Sequence, residues 1–589
     1  MQEKIKKLIE GALKNLGIEE IDFVVEHPED LINGDYSTNV AMVCAKNFKQ
    51  NPKELAEKIV GTLRQAQGEF PEIQEIQVAG AGFINFFLSP KFFHGSIEEI
   101  LNNEDFARNR TLQNKKIMVE YTDPNPFKPF HIGHLMTNAI GESIARILES
   151  SGADVSRANY QGDIGLHVAK AIWGLQKRGL PNPDLSTAEK ANYIGECYSL
   201  GAGEYGPIRL GDEEKESPVK VEIDEINKKI YDRTDAKINK IYEWGFKVTM
   251  EAFEDLYRIL GTKFDFYFLE SEVAQIGENI VRDNVGKVFK ESDGAIIFKG
   301  EEHDPKLHTR VFITSTGLPT YETKELGLAE KKFRMNPNMN LSLVITANEQ
   351  ADYMRVVAKA LSLIHLEYTD KMRHITHGMM RLARGATAEG LASGKMSSRK
   401  GNVVTGESLL RDTIALVSEK VKDREWDEEK KKKISEQVGV SAIKYSILKQ
   451  STGGDIAFDF EKSISFEGDS GPYLQYSYAR ANSVIEKARG ENILPDPHLQ
   501  AGNNVVFEVE KLLYRFPEIV SRSAAEYEPH YIANYLIELA RAFNSFYGNT
   551  VIVDKEDKTS PYKVALTFAF TFVMKKGLHL LGIEAPEKM

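Results

Sequence analysis

The 589-residue chain has only two cysteines, Cys44 and Cys197. Two thiols so far apart cannot build a disulfide framework or a four-cysteine zinc site, and two buried free thiols are the expectation. Long hydrophobic runs are also missing. The longest apolar stretch near the end, Val564 to Met574, is too short to cross a bilayer. The opening Met1-Gln2-Glu3-Lys4-Ile5-Lys6-Lys7 lacks the apolar core of a secretion signal. These absences predict a cytoplasmic protein with no membrane partner. Nor is there an excess of positive charge: 75 basic against 87 acidic residues leave a net charge of -12. That excludes a uniformly basic nucleic-acid coat but allows a local basic face. The rest, 42% hydrophobic and 28% charged residues, is an ordinary globular composition, long enough for more than one core.

The patterning divides the chain into three parts. In residues 1–112, Ile5, Leu8, Ile9, Leu13 and Leu16 follow helical spacing, and Pro52 to Leu63 predicts a second helix. Gln77-Val78-Ala79 and Phe83 to Leu88 predict strands around Gly80-Ala81-Gly82, so this part is a small α/β module. Residues 113–434 open with a short buried strand at Ile117 to Tyr121, a proline-rich loop, a helix over Leu135 to Ser150 and a strand over Asp154 to Tyr160. Strand, helix and strand in this order make a βαβ unit, hence a doubly wound parallel sheet of the Rossmann type. Further strands are expected at Ala295 to Phe298, Arg310 to Ile313 and Leu341 to Thr346, with a charged helical insertion over Pro181 to Glu243. Residues 435–589 read as nearly all helix, ending in one that is apolar on most sides and belongs inside a bundle.

Two segments carry chemistry. Lys128-Pro129-Phe130-His131-Ile132-Gly133-His134 falls in the first strand-to-helix turn. A helix N-terminus offers unpaired N–H groups and partial positive charge, which suit phosphates. Two histidines there add imidazole donors, and Gly133 lets a nucleotide approach the backbone. Alone, such a histidine pair also fits a metal or a packed core. The second segment is Gly394-Lys395-Met396-Ser397-Ser398-Arg399-Lys400-Gly401-Asn402. A glycine- and serine-rich loop with three cations suits closure over a triphosphate; alone it also fits a basic surface loop.

Together the two segments resemble the paired signatures of class I aminoacyl-tRNA synthetases. Glu120-Tyr121-Thr122-Asp123-Pro124-Asn125, Tyr160-Gln161-Gly162-Asp163-Ile164-Gly165, Gly34-Asp35-Tyr36-Ser37-Thr38-Asn39 and Pro472-Tyr473-Leu474-Gln475-Tyr476 resemble arginyl-tRNA synthetases in particular. The resemblance implies that residues 1–112 form a tRNA-binding module, 113–434 the catalytic domain and 435–589 an all-helical anticodon-binding domain. It implies activation of arginine by ATP, with Mg²⁺ accompanying the ATP, and transfer to the terminal adenosine of tRNA(Arg). It assigns His131, His134, Lys128, Lys395 and Arg399 to catalysis. It assigns His131, Gly133, His134, His377, Gly378, Met379, Lys395, Ser397 and Ser398 to ATP. Glu120, Asn125, Tyr321, Glu325 and Gln350 would hold arginine, with Glu325 standing where the family usually has Asp. Tyr473, Tyr476 and Tyr547 would meet tRNA bases. No resident metal is expected, and the protein is expected as a monomer. Alternatives are a synthetase for lysine or cysteine, an RNA-binding paralogue without catalysis, and a nucleotidylyltransferase. Two cysteines cannot supply a cysteine enzyme's zinc thiolates.

Overall fold

A computed structural model describes residues 1–18, 21–66, 70–206, 208–210, 213–215, 217–383, 405–499 and 506–589. The first part begins with α1 (Gln2–Asn15), which buries Ile5, Leu8, Ile9 and Leu13 on one face. Then come β1 (Val25–Glu26), β2 (Tyr36–Thr38), α2 (Val40–Phe48), α3 (Pro52–Ala66), β3 (Ile73–Ala79) and β4 (Phe83–Leu88), forming an antiparallel sheet in the order β1-β2-β4-β3. Gly34, at φ 98°, lets the chain pass β4 closely: a Cβ there would stand 2.8 Å from Phe86 O. The helix α4 (Pro90–Asn102) starts at Ser89, whose hydroxyl accepts from Phe92 N.

The central part is built on β5 (Lys116–Glu120), α5 (Ile132–Ser150), β6 (Asp154–Gln161) and α6 (Leu166–Arg178). An insertion follows: α7 (Thr187–Glu204), the hairpin β7 (Ile208–Leu210) and β8 (Glu213–Lys215), α8 (Pro218–Asp232) and α9 (Ala236–Leu260). The chain returns through β9 (Phe266–Leu269) and α10 (Glu270–Asp283). Next stand β10 (Lys290–Ser292), β11 (Ala295–Lys299), β12 (Thr309–Ile313), α11 (Tyr321–Met335), β13 (Leu341–Ala347), α12 (Ala351–Ile364), β14 (Met372–His377) and β15 (Met380–Leu382). The parallel sheet runs β14-β13-β5-β6-β9. Strand β5 is central, and Ile117 to Glu120 are all buried, as a strand covered on both faces requires. The chain moves from β5 to β6 on one side and later to β13 on the other, so the sheet opens between β5 and β13 at the C-terminal ends of the strands.

All three further strands expected here are present, and two of them stand outside the parallel sheet. β11 and β12 form a separate antiparallel sheet with β10. The cause is local: Asp293 and Gly294 both have positive φ, and an Asp-Gly pair in that conformation closes a tight hairpin rather than a crossover. β9 and β14 supply the edges of the parallel sheet instead.

The last part contains α13 (Gly406–Val421), α14 (Glu428–Leu448), β16 (Ile456–Phe458), α15 (Phe460–Ser463), α16 (Gly471–Gly490), α17 (Glu508–Leu513), α18 (Phe516–Glu526), α19 (His530–Asn549) and α20 (Ser560–Leu580). β16 is a strand in a region read as helix; it pairs in parallel with β15 and ties the region to the central part. The Asp427 carboxylate accepts from Lys430 N and caps α14, which then runs through residue 435 without a break. Helix α20 buries Val564, Phe570, Val573 and Met574, and Phe570 stacks on Phe543 of α19 at 3.9 Å. The N-terminal module seats on α18 through Glu518, whose carboxylate accepts from Tyr36 Oη at 2.8 Å and lies 3.0 Å from His27 Nε2. His27, with the N-terminal ammonium and Gln2 N beside it, holds Glu518 down to about 2 against the opposing effect of burial. Both cysteines are free and buried. Among the described residues, no helix is long and apolar enough to cross a membrane.

Candidate active site

The loop between β5 and α5 is bent where side chains disfavour it. Thr122, Asp123 and Phe127 have φ of 80°, 45° and 65°, conformations that cost on the order of 1–3 kcal/mol each. Two hydrogen bonds hold the bend: Asn138 Nδ2 donates to Thr122 Oγ1 at 3.1 Å, and Tyr160 N donates to Asp123 Oδ1 at 2.7 Å. The loop delivers His131 to the N-cap of α5.

There the two histidines cap each other. His134 N donates to His131 Nδ1 at 3.4 Å, and His131 N donates to His134 Nδ1 at 3.2 Å. Their rings stack with centroids 3.4 Å apart. A Cβ on Gly133 would stand 3.0 Å from the His131 ring, so the stack needs glycine between the pair. Because each Nδ1 accepts, each neutral ring carries its proton on Nε2. Neither Nε2 has a protein partner among the described residues. Burial, with the charge of Lys128 and His377 beside it, pushes His131 down to about 4. Burial and the adjacent His131 hold His134 well below the usual histidine range. The pair therefore presents two uncharged N–H donors at neutral pH, fixed by the backbone they cap.

Lys128, three residues before His131, lines a cavity of about 1180 Å³ together with Asn125, His167, Tyr198, Tyr321 and Lys324 among others; neither histidine of the pair lines it. Lys128 lies over the Tyr198 ring at 5.6 Å. Burial and Lys170 lower its affinity for a proton. Asn125 Oδ1 accepts from Gly162 N at 3.0 Å. Tyr321 opens α11 and is 72% exposed, so its ring is available to a ligand rather than packed. Glu325 sits one turn further along and does not line the cavity.

Behind Tyr321 the charge is out of balance. Glu120, at the end of β5, pairs with Lys332 of α11, and both are 2% exposed. Asp123 and Glu325 feel the same lysine, and each also feels the Glu120 carboxylate. Three carboxyl groups thus share one ammonium. Burial first, and repulsion from Glu120 second, push Glu325 up to about 8. Its carboxyl group makes no hydrogen bond or ion pair among the described residues. Gln350, just after β13, accepts from Tyr353 Oη at 2.9 Å, and that hydroxyl feels Glu325, Glu120 and Tyr321.

Other expected residues fall into two sets. His377 ends β14, is buried, and its Nδ1 lies 2.7 Å from Gly378 O, leaving Nε2 without a partner among the described residues. Gly378 is pressed against the next loop, since a Cβ there would stand 2.4 Å from Gly454 O. Met379 is exposed, with its N donating to Asp455 Oδ1 at 2.8 Å. Lys395, Ser397, Ser398 and Arg399 lie outside the described residues.

On the bundle, Tyr476 and Tyr547 flank Arg480, with its guanidinium 4.8 and 5.0 Å from the two rings. Tyr473 is more enclosed, and its hydroxyl accepts from Asn544 Nδ2 at 2.9 Å. Arg480 was not singled out by sequence reasoning, although its position four residues after Tyr476 on a helix was a usable signal. Lys332 was missed likewise; it stands seven residues after Glu325, two turns along the same face of α11.

Comparison with known proteins finds three matched segments. The family model for tRNA synthetases class I (R), catalytic domain, matches residues 96–460. The DALR anticodon binding domain matches 474–589, and the arginyl-tRNA synthetase N-terminal domain matches 3–88. The arginine–tRNA ligase of Limosilactobacillus reuteri is 30% identical over 598 residues and covers 100% of both chains. That of Fusobacterium nucleatum is 31% identical over 594 residues, covering 99% of this chain and 98% of its own. The structure of Thermus thermophilus arginyl-tRNA synthetase aligns over 100% of both chains with a TM-score of 0.79 at 22% identity, a likeness of fold. With its catalytic part, N-terminal module and anticodon-binding part all matched, and relatives aligned from end to end, the chain belongs to the arginyl-tRNA synthetase family of class I tRNA synthetases.

Proposed function

We infer that this chain is an arginine–tRNA ligase: it activates arginine with ATP and transfers it to the terminal adenosine of tRNA(Arg). The observation that carries the choice of amino acid is the charge imbalance, three carboxyl groups about one buried ammonium. A guanidinium is planar, permanently charged and suited to paired carboxylate oxygens. In this reading it lies against the Tyr321 ring and the Glu325 carboxylate, with Glu120 fixing the charge behind it and Asn125 and Gln350 toward the amino end.

In the first step the arginine carboxylate attacks the α-phosphorus of ATP, the bond to the β-phosphate oxygen breaks, and pyrophosphate leaves. The His131 and His134 Nε2–H groups donate to phosphate oxygens, with Gly133 keeping the approach open. Lys128, Lys395 and Arg399 offset the growing negative charge, and Ser397 and Ser398 belong to the same sequence segment as Lys395. His377, Gly378 and Met379 border the adenine. Positioning and charge stabilisation dominate such chemistry. Among the described residues, no group of three or more His, Cys, Asp or Glu is placed to hold a metal. In this reading Mg²⁺ accompanies the ATP, on phosphate oxygens and water. In the second step the terminal 2′-OH attacks the arginyl carbonyl and AMP leaves. Tyr476, Tyr547 and Arg480 offer stacking surfaces for anticodon bases, and Tyr473 steadies them through Asn544. A monomeric, cytoplasmic enzyme completes the reading.

Aminoacylation of total tRNA with each amino acid in turn tests it: arginine alone is expected to be joined. Arginine-dependent pyrophosphate exchange is expected to stay weak until tRNA(Arg) is added. Charging with lysine instead would overturn the reading.

The state of Glu325 adds a pH dependence. Below about pH 8 its carboxyl group is protonated in the free protein, whereas a guanidinium partner needs it ionised. Arginine binding should therefore release a proton. Affinity should rise by about tenfold per pH unit up to about 8 and level off above it. Calorimetry in buffers of different ionisation enthalpy measures both the proton count and the trend.

A further inference from the structure

Lys444 lies near the C-terminal end of α14, is 0% exposed, and has no carboxylate partner among the described residues. A lone buried ammonium is costly and rare. Its Nζ donates to Leu260 O at 2.6 Å and to Gly582 O at 2.8 Å. Burial, with Arg146 nearby, pushes it down to about 7, opposed by Glu142 and Glu584.

A second cation repeats the pattern. Arg146, on α5, donates through Nη1 to His579 O at 3.0 Å and through Nη2 to Gly261 O at 2.9 Å. Glu142 holds it from below, accepting from its Nε at 2.6 Å. Ser143 Oγ donates to Leu580 O at 2.8 Å. Gly582, at φ 67°, makes the approach possible, since a Cβ there would stand 2.8 Å from Lys444 Nζ.

The accepting oxygens have something in common. Leu260 and Gly261 end α9, the last helix of the insertion. His579, Leu580 and Gly582 end α20, the last helix of the bundle. Helix C-termini carry orphan carbonyls and partial negative charge. Two helices from different parts of the chain thus terminate on one site made by α5 and α14. Helix α5 starts at the His131–His134 pair and is about 28 Å long at 1.5 Å per residue. Helix α20 packs on α16 and α19, which carry Tyr476, Arg480 and Tyr547.

We propose that Arg146 and Lys444 are positioning residues: by fastening the ends of α20 and α9 to α5, they make the placement of the histidine pair depend on how the bundle is seated, so that tRNA docked on the bundle governs the rate at the other end of the helix. This rests on the tRNA-ligase reading above. Stiff helices joined by a polar junction are a physical route for such coupling. A shift of about 1 Å at a reacting centre is enough to cost about 10²-fold in rate.

The test uses full-length tRNA(Arg) and the same tRNA with one anticodon base replaced. Wild-type enzyme should charge the altered tRNA more slowly. In Arg146→Gln and Lys444→Met, kcat with the native tRNA should fall about tenfold while tRNA affinity and melting temperature change little. The penalty for the anticodon change should shrink at least threefold, a non-additive pair of losses. Ser143→Ala, which removes a single hydrogen bond, carries the same comparison if a cation variant does not fold. Independent, multiplicative losses would reduce the junction to a structural support and overturn the proposal. So would an unchanged kcat, or a wild-type enzyme indifferent to the anticodon. If wild-type enzyme charges no tRNA with arginine, the ligase reading fails first, and that result is separate.

Discussion

Replacing Glu325 by glutamine is expected to cut kcat/KM for arginine by about 10²–10³ while leaving the protein as stable as before. The two halves of this result have one origin. At neutral pH the Glu325 carboxyl group in the free protein is protonated, held there by burial and by Glu120. Glutamine has nearly the same shape and is neutral, so the folded protein loses little. Once arginine enters, the wild-type carboxyl ionises and pairs with the guanidinium, and the amide cannot. An unpaired buried charge is worth about 3–5 kcal/mol, which sets the size of the loss. The same variant should abolish the rise of arginine affinity toward pH 8. Steady-state kinetics, a melting curve and binding at two pH values check all three. Full activity in Glu325→Gln would remove Glu325 from the site.

The second large effect concerns His134. His134→Asn keeps an oxygen near the position of Nδ1, able to accept from His131 N, but has nothing at the position of Nε2. His134→Gln does the reverse: its amide reaches the Nε2 position and gives up the reciprocal cap. If the Nε2–H donates to a phosphate, the asparagine variant should lose about 10²–10³ in kcat with little change in stability. The glutamine variant should keep more activity and lose about 1 kcal/mol of stability, the usual worth of a helix cap. Single-turnover adenylate formation and thermal melts separate the two. An asparagine variant that keeps wild-type activity would mean that the cap, not the donor, is what the histidine supplies.

Much of this was legible in the sequence where one short segment holds the whole signal. Ile117-Met118-Val119 reads as a buried strand because it is apolar throughout, and the helix after it is fixed by its own period. His131 and His134 stand out as residue types at a strand-to-helix turn. Their mutual capping does not, because it depends on ring orientation, and so the missing charge on both rings was hidden as well. The edge strands β9 and β14 are short and partly exposed, so their patterning is weak. Glu325 was visible as a candidate carboxylate. Its protonation was not, since that depends first on burial and then on Glu120, from a strand far earlier in the chain. The oxygens that hold Arg146 and Lys444 are backbone atoms, which leave no trace in residue identity.

The unbroken passage of α14 through residue 435 decides where this enzyme accepts surgery. A chimaera borrowing a foreign bundle, spliced at that residue, would sever a rod whose later turns carry Lys444 and Tyr445 into the contact between the two halves. A better place to join a graft lies beyond Leu448, where the chain has left the rod and reaches Gly453, a glycine with open space around it.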